Sequence, residues 1–172
     1  MWFVTQVMSG KEAEIRDLCV SYKVCPKTDV FYFQSEQKKK LNGEHKIVLR
    51  PLFPGYLFFE VPSVEEAAEL KQRLRKVPAM TKLLQAGDDI VAVYPEEENL
   101  LRNLGGDNHV IDLSSGVMEG DKVVVTKGPL KNNEYRIRKI DRHKRKAILE
   151  VKLFHRTIDM PVGLEIIKKT EV

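Results

Sequence analysis

The chain has 172 residues, which is enough for one medium domain or two small ones. Apolar residues make up 42% and charged residues 31%, as in an ordinary globular protein, so a wholly disordered chain is excluded. The two cysteines, Cys19 and Cys25, form no disulfide framework or zinc motif, and no apolar run is long enough to span a membrane. The sequence therefore predicts a cytoplasmic protein with no metal, no cofactor and no membrane contact.

The net charge of +4 is unevenly distributed along the chain. Residues 117–172 hold fourteen Lys and Arg against eight Asp and Glu, whereas residues 1–116 hold fifteen against seventeen. A basic segment beside a slightly acidic one suggests an anionic partner for the basic segment.

The first hundred residues alternate between strand and helix patterns. Aromatic and β-branched runs predict strands over residues 2–7, 30–33, 46–50, 56–60 and 80–84. Capping boxes at Ser9 and Ser63 predict two helices, and a third is predicted from Pro95 to Leu104. Apolar residues at helical spacing mark the buried faces of the first two: Ile15, Leu18, Cys19 and Tyr22, then Ala67, Leu70, Leu74 and Val77. Cys19 is thus expected in the core and not as a reactive thiol.

This order of elements is the split βαβ pattern of ferredoxin-like α+β domains. Between two of the strands, Lys38, Lys39 and Lys40 precede an Asn-Gly turn signal, and we expect an exposed basic loop there. Residues 105–116 follow the third helix and are predicted to be a linker.

The remaining residues predict a small five-stranded barrel. Short strand patterns cover residues 122–126, 135–140, 147–153, 157–161 and 164–168, with turn residues between them. Barrel closure removes the strand edges that such short strands would otherwise expose. The predicted domains are therefore 1–104 and 117–172.

Five segments carry a family resemblance, in the same order along the chain. Residues 2–4 (WFV), 9–12 (SGKE), 52–58 (LFPGYLF) and 120–130 (GDKVVVTKGPL), together with residues 154–156 (FHR), make the chain resemble the NusG family. The resemblance implies an α+β fold, with a ferredoxin-like NGN domain that binds the clamp helices of bacterial RNA polymerase and an SH3-like KOW barrel that recruits another partner. The sequence of residues 51–58 resembles that of the specialised antitermination paralogue RfaH, and the compact, basic barrel resembles that of the paralogue LoaP. A strand-rich C-terminal segment favours a constitutive barrel over the helical hairpin of RfaH.

Two positions depart from the family pattern. Tyr135 stands where the pattern has a glycine entering the second barrel strand, and His155 replaces the glycine of the usual Phe-Gly-Arg. Each change puts an interacting side chain on a surface where family members meet ribosomal protein or Rho, so those contacts are placed in doubt.

An aromatic strand is the candidate polymerase-binding surface. Because side chains alternate along a strand, Tyr56 and Phe58 share one face and Leu57 and Phe59 the other. These aromatics could be ordinary core residues, but the resemblance favours polymerase docking through Phe53, Tyr56 and Phe58, with Phe3 nearby.

Residues 136–146 are the candidate RNA-binding run, with seven Lys and Arg against one acid. Such a run is often only a solvated face, but here it lies in the basic segment, and clustered cations bind phosphates. The candidate RNA-binding residues are Lys127, Lys131, Tyr135, Arg136, Arg138, Arg142, His143, Lys144, Arg145, Lys146, Lys152, His155 and Arg156. The expected ligand is nascent RNA, most plausibly a hairpin.

No enzyme is predicted, because the four histidines are scattered and neither a paired carboxylate, a nucleophile motif nor a phosphate loop accompanies them. Arg73, Arg75 and Lys76 could contact the non-template DNA strand, although a solvated helix end explains them equally well. The leading interpretation is a monomeric transcription elongation and processive antitermination factor. The alternatives are a NusG-like adaptor whose KOW domain binds ribosomal protein or Rho, and a ribosomal or RNA-maturation protein with a KOW domain.

Overall fold

The computed structural model of the protein describes residues 1–80 and 90–171. These ranges contain the helices α1 (Glu12–Ser21), α2 (Val64–Leu74) and α3 (Pro95–Gly105). The strands of the first hundred residues are β1 (Trp2–Gln6), β2 (Val30–Phe31), β3 (Gln34–Leu41), β4 (Glu44–Pro51), β5 (Tyr56–Glu60) and β6 (Val91–Ala92). The later strands are β7 (Val110–Ile111), β8 (Ser114–Glu119), β9 (Lys122–Lys127), β10 (Lys139–Asp141), β11 (Lys146–Leu153) and β12 (Arg156–Thr170). The chain thus has an α+β fold in which strands predominate.

One compact unit contains residues Met1–Tyr32, Phe53–Glu98 and Lys152–Arg156. Its antiparallel sheet has the strand order β2-β5-β1-β6. One face of this sheet packs against α1 and α2 in an apolar core to which Ile15, Cys19, Leu70 and Leu74 contribute. Cys19 is buried, as predicted, and burial raises the pKa of its thiol to about 12.

The start of α1 differs from the prediction. The helix begins at Glu12, and its N-cap residue is Lys11 instead of Ser9. The Glu12 carboxylate is buried and accepts hydrogen bonds from the backbone N–H groups of Gly10 (3.1 Å) and Gly55 (2.6 Å). Because one carboxylate oxygen, Oε1, accepts both hydrogen bonds, Glu12 connects the start of the helix to the turn before β5. Tyr22 is also exposed, because the helix ends one residue before it.

The start of α2 agrees with the sequence. Ser63 is the N-cap, and its hydroxyl accepts a hydrogen bond from the backbone N–H of Glu66 at 3.3 Å. The predicted stripe of Ala67, Leu70, Leu74 and Val77 is buried. The strand predicted over residues 80–84 falls largely on residues 81–89, which lie outside the described part of the chain.

A second compact unit contains residues Phe33–Leu52, Asn99–Val151 and Thr157–Val172. It holds a five-stranded sheet of order β10-β11-β12-β8-β9 and a three-stranded sheet of order β4-β3-β7. Strands β3 and β4 pair antiparallel through eight residue pairs and are joined at Asn42 and Gly43, both of which have positive φ angles (51° and 85°). The Asn-Gly turn is therefore confirmed. The predicted basic loop is wrong, because Lys38, Lys39 and Lys40 belong to β3.

Strand β3 lies directly against β12 within this unit. The Ser35 hydroxyl donates to the carbonyl oxygen of Pro161 at 3.4 Å, and the Lys38 ammonium pairs with the Glu165 carboxylate at 2.8 Å. Glu36 also accepts a hydrogen bond from the backbone N–H of Leu113 at 2.9 Å. Backbone packing is so close at Gly163 that a Cβ atom there would collide with the Glu36 carbonyl oxygen.

The five-stranded sheet differs from the predicted barrel strands in three places. Strand β8 begins at Ser114 and pairs with both β9 and β12, whereas residues 105–116 were predicted to be a linker. Tyr135 lies in a short 3-10 helix (Glu134–Arg136) instead of a strand. The two strands predicted over residues 157–161 and 164–168 are one continuous strand, β12, which runs through Gly163.

Candidate functional site

An aromatic cluster covers the sheet face of the first unit that α1 and α2 leave open. Trp2 makes edge contacts with Phe31 (5.0 Å between ring centroids) and Phe58 (6.3 Å), and Phe31 stacks on Phe58 at 5.7 Å. Phe53 extends the cluster toward Tyr56, with a centroid distance of 6.4 Å. The strand alternation predicted for β5 is confirmed, since Leu57 and Phe59 belong to the core on the helix side.

The predicted docking aromatics are not an exposed patch. Phe58 is fully buried, Phe53 is 3% exposed and Tyr56 only 9%. Phe3 lies in the core on the helix side and pairs with Phe59 across β1 and β5, so it does not share a face with Phe58. The sequence pattern missed this burial because large aromatic side chains on neighbouring strands fill the open face by packing on each other.

The turn between β11 and β12 covers Tyr56. The Phe154 ring meets the Tyr56 ring edge-on at 5.6 Å, and the Arg156 guanidinium donates a hydrogen bond to the Tyr56 hydroxyl at 2.8 Å. His155 Nδ1 and the Tyr94 hydroxyl form a hydrogen bond of 3.0 Å. These contacts place His155 and Arg156, two of the predicted RNA-binding residues, on aromatic residues of the first unit.

The turn is strained at its two central residues. Phe154 and His155 have φ angles of 53° and 58°, in the left-handed region that glycine and asparagine enter most easily. A two-residue hairpin turn of this kind prefers Asn-Gly, so Phe-His is costly there. The contacts with Tyr56 and Tyr94 offset this cost.

The second unit carries two adjacent cavities lined by the basic run. Five predicted RNA-binding residues border one cavity or both: Arg142, His143, Lys144, Arg145 and Lys146. The first cavity, of about 560 Å³, also has Asp141 and Glu165 in its wall, so its charge is mixed. The second, of about 470 Å³, is lined by cationic and histidine side chains. We call the second cavity the basic groove; it is lined by Lys38, Lys39, Lys40, His143, Lys144, Arg145 and Lys146.

Like charges are crowded at the basic groove. The pKa of Lys146 is lowered, first by partial burial of its ammonium and then by the nearby charges of Lys39 and Lys144. On the other side of the turn, the Asp141 carboxylate accepts a hydrogen bond from the backbone N–H of Lys144 at 2.9 Å, and this bond lowers the pKa of Asp141. Arg145 contacts His45 Nε2 at 3.0 Å through its guanidinium. The groove is therefore a concentration of positive charge in which Lys146 is partly buried.

Arg142 lines the first cavity and not the basic groove, and the structure does not bring the remaining predicted RNA-binding residues into the groove. Tyr135 is 78% exposed, and the Arg136 guanidinium lies 5.6 Å from the centre of its ring. Arg138 is committed to ion pairs with Glu150 and Asp159. Lys127, Lys131 and Lys152 are exposed and line neither cavity.

Sequence reasoning missed the contribution of β3 to this site. Lys38, Lys39 and Lys40 are more than a hundred residues from the 142–146 turn along the chain, and only the packing of β3 against β12 brings them together. Their local signal was present as three consecutive lysines, but nothing in the sequence pairs this run with the later one.

The described residues contain no cluster of three or more His, Cys, Asp or Glu side chains placed to hold a metal ion. No helix among them is both long enough and apolar enough to cross a membrane.

Comparison with known proteins gives the family. The family model described as "Transcription termination factor nusG" matches residues 1–102. The chain belongs to the NusG family. It is 26% identical to the transcription termination/antitermination protein NusG of Bacillus subtilis over 170 residues, which are 95% of this chain and 94% of the relative. The NusG of Halalkalibacterium halodurans is 28% identical over 171 residues, with the same coverage of each chain.

A solved structure shares the NusG fold. The chain in "Domain interaction in Thermotoga maritima NusG" superimposes with a TM-score of 0.50 at 21% identity, covering 96% of this chain and 93% of that chain. NusG membership makes this chain a transcription termination/antitermination factor in kind, since both curated relatives above carry that description.

Proposed function

We propose that this NusG-family protein is a processive antitermination factor that binds RNA polymerase and holds structured nascent RNA with its basic second unit. Binding to both at once would keep the factor on selected transcripts, because attachment at one site raises the effective concentration of the ligand at the other site. On this proposal the protein acts by binding, without catalysis, as a monomer in the cytoplasm. It would be a specialised paralogue of the LoaP or RfaH kind.

The proposed domain assignment follows the family. Residues 1–104 would form the NGN domain, with the ferredoxin-like arrangement supported by the strand order β2-β5-β1-β6, and residues 117–172 most of an SH3-like KOW barrel. The NGN domain would bind the clamp helices of the polymerase through Phe53, Tyr56 and Phe58. Since these residues are buried in the structure, docking through Tyr56 requires the turn at Phe154 to move away.

The observation that carries RNA binding is the crowding of cations beside the 142–146 turn. Folding brings like charges together at a cost, and a phosphate backbone would offset this cost by supplying negative charge and releasing counterions. Arg73, Arg75 and Lys76 remain candidates for a contact with the non-template DNA strand.

The RNA proposal is tested on the full chain by titrating a labelled RNA hairpin and repeating the titration at several salt concentrations. Replacing Arg142 and Lys144 with glutamine should weaken binding about tenfold and lower the slope of log K against log salt by about 1.4–1.8, because two phosphate contacts are lost. A matched variant, Lys23→Gln with Lys27→Gln, removes two exposed charges of the first unit and should bind as the unmodified protein does. Binding that does not depend on salt would contradict the proposal and favour the adaptor alternative, in which the barrel binds a protein.

A further inference from the structure

The basic groove has two walls from distant parts of the chain. One wall is formed by residues 143–146 of the 142–146 turn in the five-stranded sheet, and the other is the lysine run of β3. Building on the RNA-binding function proposed above, we infer that the β3–β4 hairpin supplies half of the RNA site, with Lys39 and Lys40 binding the phosphates of the strand that the turn also holds.

The charge of the groove supports this inference. Among the described residues, none that lines it has a carboxylate, whereas the neighbouring cavity includes Asp141 and Glu165. Of the three β3 lysines, Lys38 is partly neutralised by its ion pair with Glu165, which leaves Lys39 and Lys40 as the main positive charges of that wall. Lys39 is close enough to Lys146 to affect its ionisation. A phosphate lying between these two ammonium groups would be attracted by both.

The groove is also preformed. Three contacts hold β3 against the five-stranded sheet: Ser35 to the Pro161 carbonyl, Glu36 to the backbone N–H of Leu113, and Lys38 to Glu165. At Gly163 the backbones of β3 and β12 approach so closely that a Cβ atom would collide with the Glu36 carbonyl oxygen. A ligand therefore meets both walls without a cost for ordering the backbone, which favours affinity.

The partner chemistry is that of closely spaced phosphates on one nucleic-acid strand. A single phosphate would use only part of a groove of about 470 Å³ that carries positive charge along both walls. A protein partner would need a comparably dense acidic segment, whereas every nucleotide of RNA carries a phosphate. We therefore assign the groove to the RNA backbone and expect it to contribute affinity without reading sequence.

The test compares three charge-matched double variants of the full chain in the same RNA-hairpin titration: Lys39→Gln with Lys40→Gln in the hairpin, Arg142→Gln with Lys144→Gln in the turn, and the Lys23 and Lys27 control. Each phosphate contact raises the affinity by a factor of about 5–8 when the salt concentration is lowered from about 1 M to about 0.1 M. A variant that loses the contact loses this gain. The hairpin variant should thus bind at least about tenfold more weakly at about 0.1 M salt, with a salt slope lower by about 1.4–1.8. The control should be unchanged.

A double-mutant cycle then tests whether the two walls hold the same phosphates. Lys39→Gln and Lys146→Gln are measured singly and together, and a shared phosphate should make the combined loss in log K differ from the sum of the single losses. Additive losses would overturn the composite site. The composite site would also be overturned if the Lys23 and Lys27 control variant lost as much RNA affinity as the hairpin variant.

The two proposals fail in different ways. If the turn variant weakens binding and the hairpin variant does not, the composite groove is wrong and RNA binding by the barrel stands. If neither variant alters binding, both proposals are wrong. A DNA duplex of the same sequence is titrated with the same variants. If the unmodified protein binds this duplex more tightly than the RNA, and the variants weaken both to the same extent, the assignment of the groove to RNA is overturned.

Discussion

Glu12 shows how one side chain links two elements of the first unit. Its carboxylate is buried at the start of α1 and accepts hydrogen bonds from the N–H groups of Gly10 and Gly55. Gly55 has a φ angle of 83°, and a Cβ there would lie 3.0 Å from the Val7 carbonyl oxygen, so the turn before β5 requires glycine. Glu12 therefore fixes the backbone from which Tyr56 projects.

Replacing Glu12 with alanine should lower the free energy of unfolding by about 1.5–3 kcal/mol, because the buried N–H of Gly55 loses a charged acceptor. Chemical denaturation followed by circular dichroism measures the change. Glu14→Ala is the control on the same helix; Glu14 makes an exposed ion pair with Lys11, and its loss should cost less than about 1 kcal/mol. Equal losses in the two variants would show that the buried hydrogen bonds contribute nothing special.

Individual residues were predictable from the sequence where one local rule decides their environment. Helical spacing alone placed Cys19 in the core, and strand alternation separated Leu57 from Phe58. The role of Glu12 was not predictable in this way. The local sequence around Glu12 is the same whether its carboxylate caps the helix or binds a distant backbone group. Its partner Gly55 is 43 residues away.

Among the elements, the turn from β11 to β12 makes contacts that its own conformation opposes. Phe154 and His155 hold left-handed backbone angles that cost on the order of 1–2 kcal/mol each for ordinary residues. Their side chains contact Tyr56 and Tyr94, which belong to the same compact unit. The turn thus adopts an unfavourable backbone conformation in which its side chains cover Tyr56.

Replacing Phe154 with asparagine and His155 with glycine should keep the hairpin turn, because Asn-Gly is the preferred pair there, and remove the ring contact of Phe154 with Tyr56. If Tyr56 contacts the polymerase, this variant should bind RNA polymerase up to about tenfold more tightly, since about 1.4 kcal/mol of competing contact is lost. Affinity is measured by titrating labelled protein with purified polymerase. Lys152→Gln is the control on the same hairpin, and unchanged or weaker binding by the Asn-Gly variant would refute docking through Tyr56.

The β3–β4 turn and the start of α2 have strong local signals and matched the structure, whereas strand β8 has no such signal and was missed. Asn42 and Gly43 specify their turn through backbone preference, and the start of α2 follows from Ser63. Strand β8 was missed because Ser114, Ser115 and Gly116 have low strand propensity. That segment is a strand because it pairs on both sides, which is a tertiary effect.

At the scale of the whole molecule, the two compact units are interleaved in the sequence. The chain passes from the first unit to the second at residue 33, returns at 53, leaves at 99, and contributes residues 152–156 to the first unit once more. The predicted division at residues 104 and 117 cuts through this pattern. It also removes three residues of β8 from the five-stranded sheet.

A fragment of residues 117–171 should therefore be less stable than one of residues 112–171, by about 2 kcal/mol or more. The shorter fragment loses the pairing of Ser114 to Gly116 with β12 and the hydrogen bond that the Ser114 hydroxyl accepts from the Leu130 N–H at 3.0 Å. Thermal unfolding of the two fragments gives the comparison. Equal midpoints would mean that β8 is not part of the folding unit.

The close approach at Gly163 also restricts how the protein can be recombined with its relatives. A five-stranded sheet taken from another member of the family must present glycine at this position, since any side chain would meet the Glu36 carbonyl and the Leu113 methyl group. A chimera that violates this rule should fail to pack β3 against β12. Exchange of this sheet is therefore limited by compatibility at one backbone position as well as by the stability of the donor.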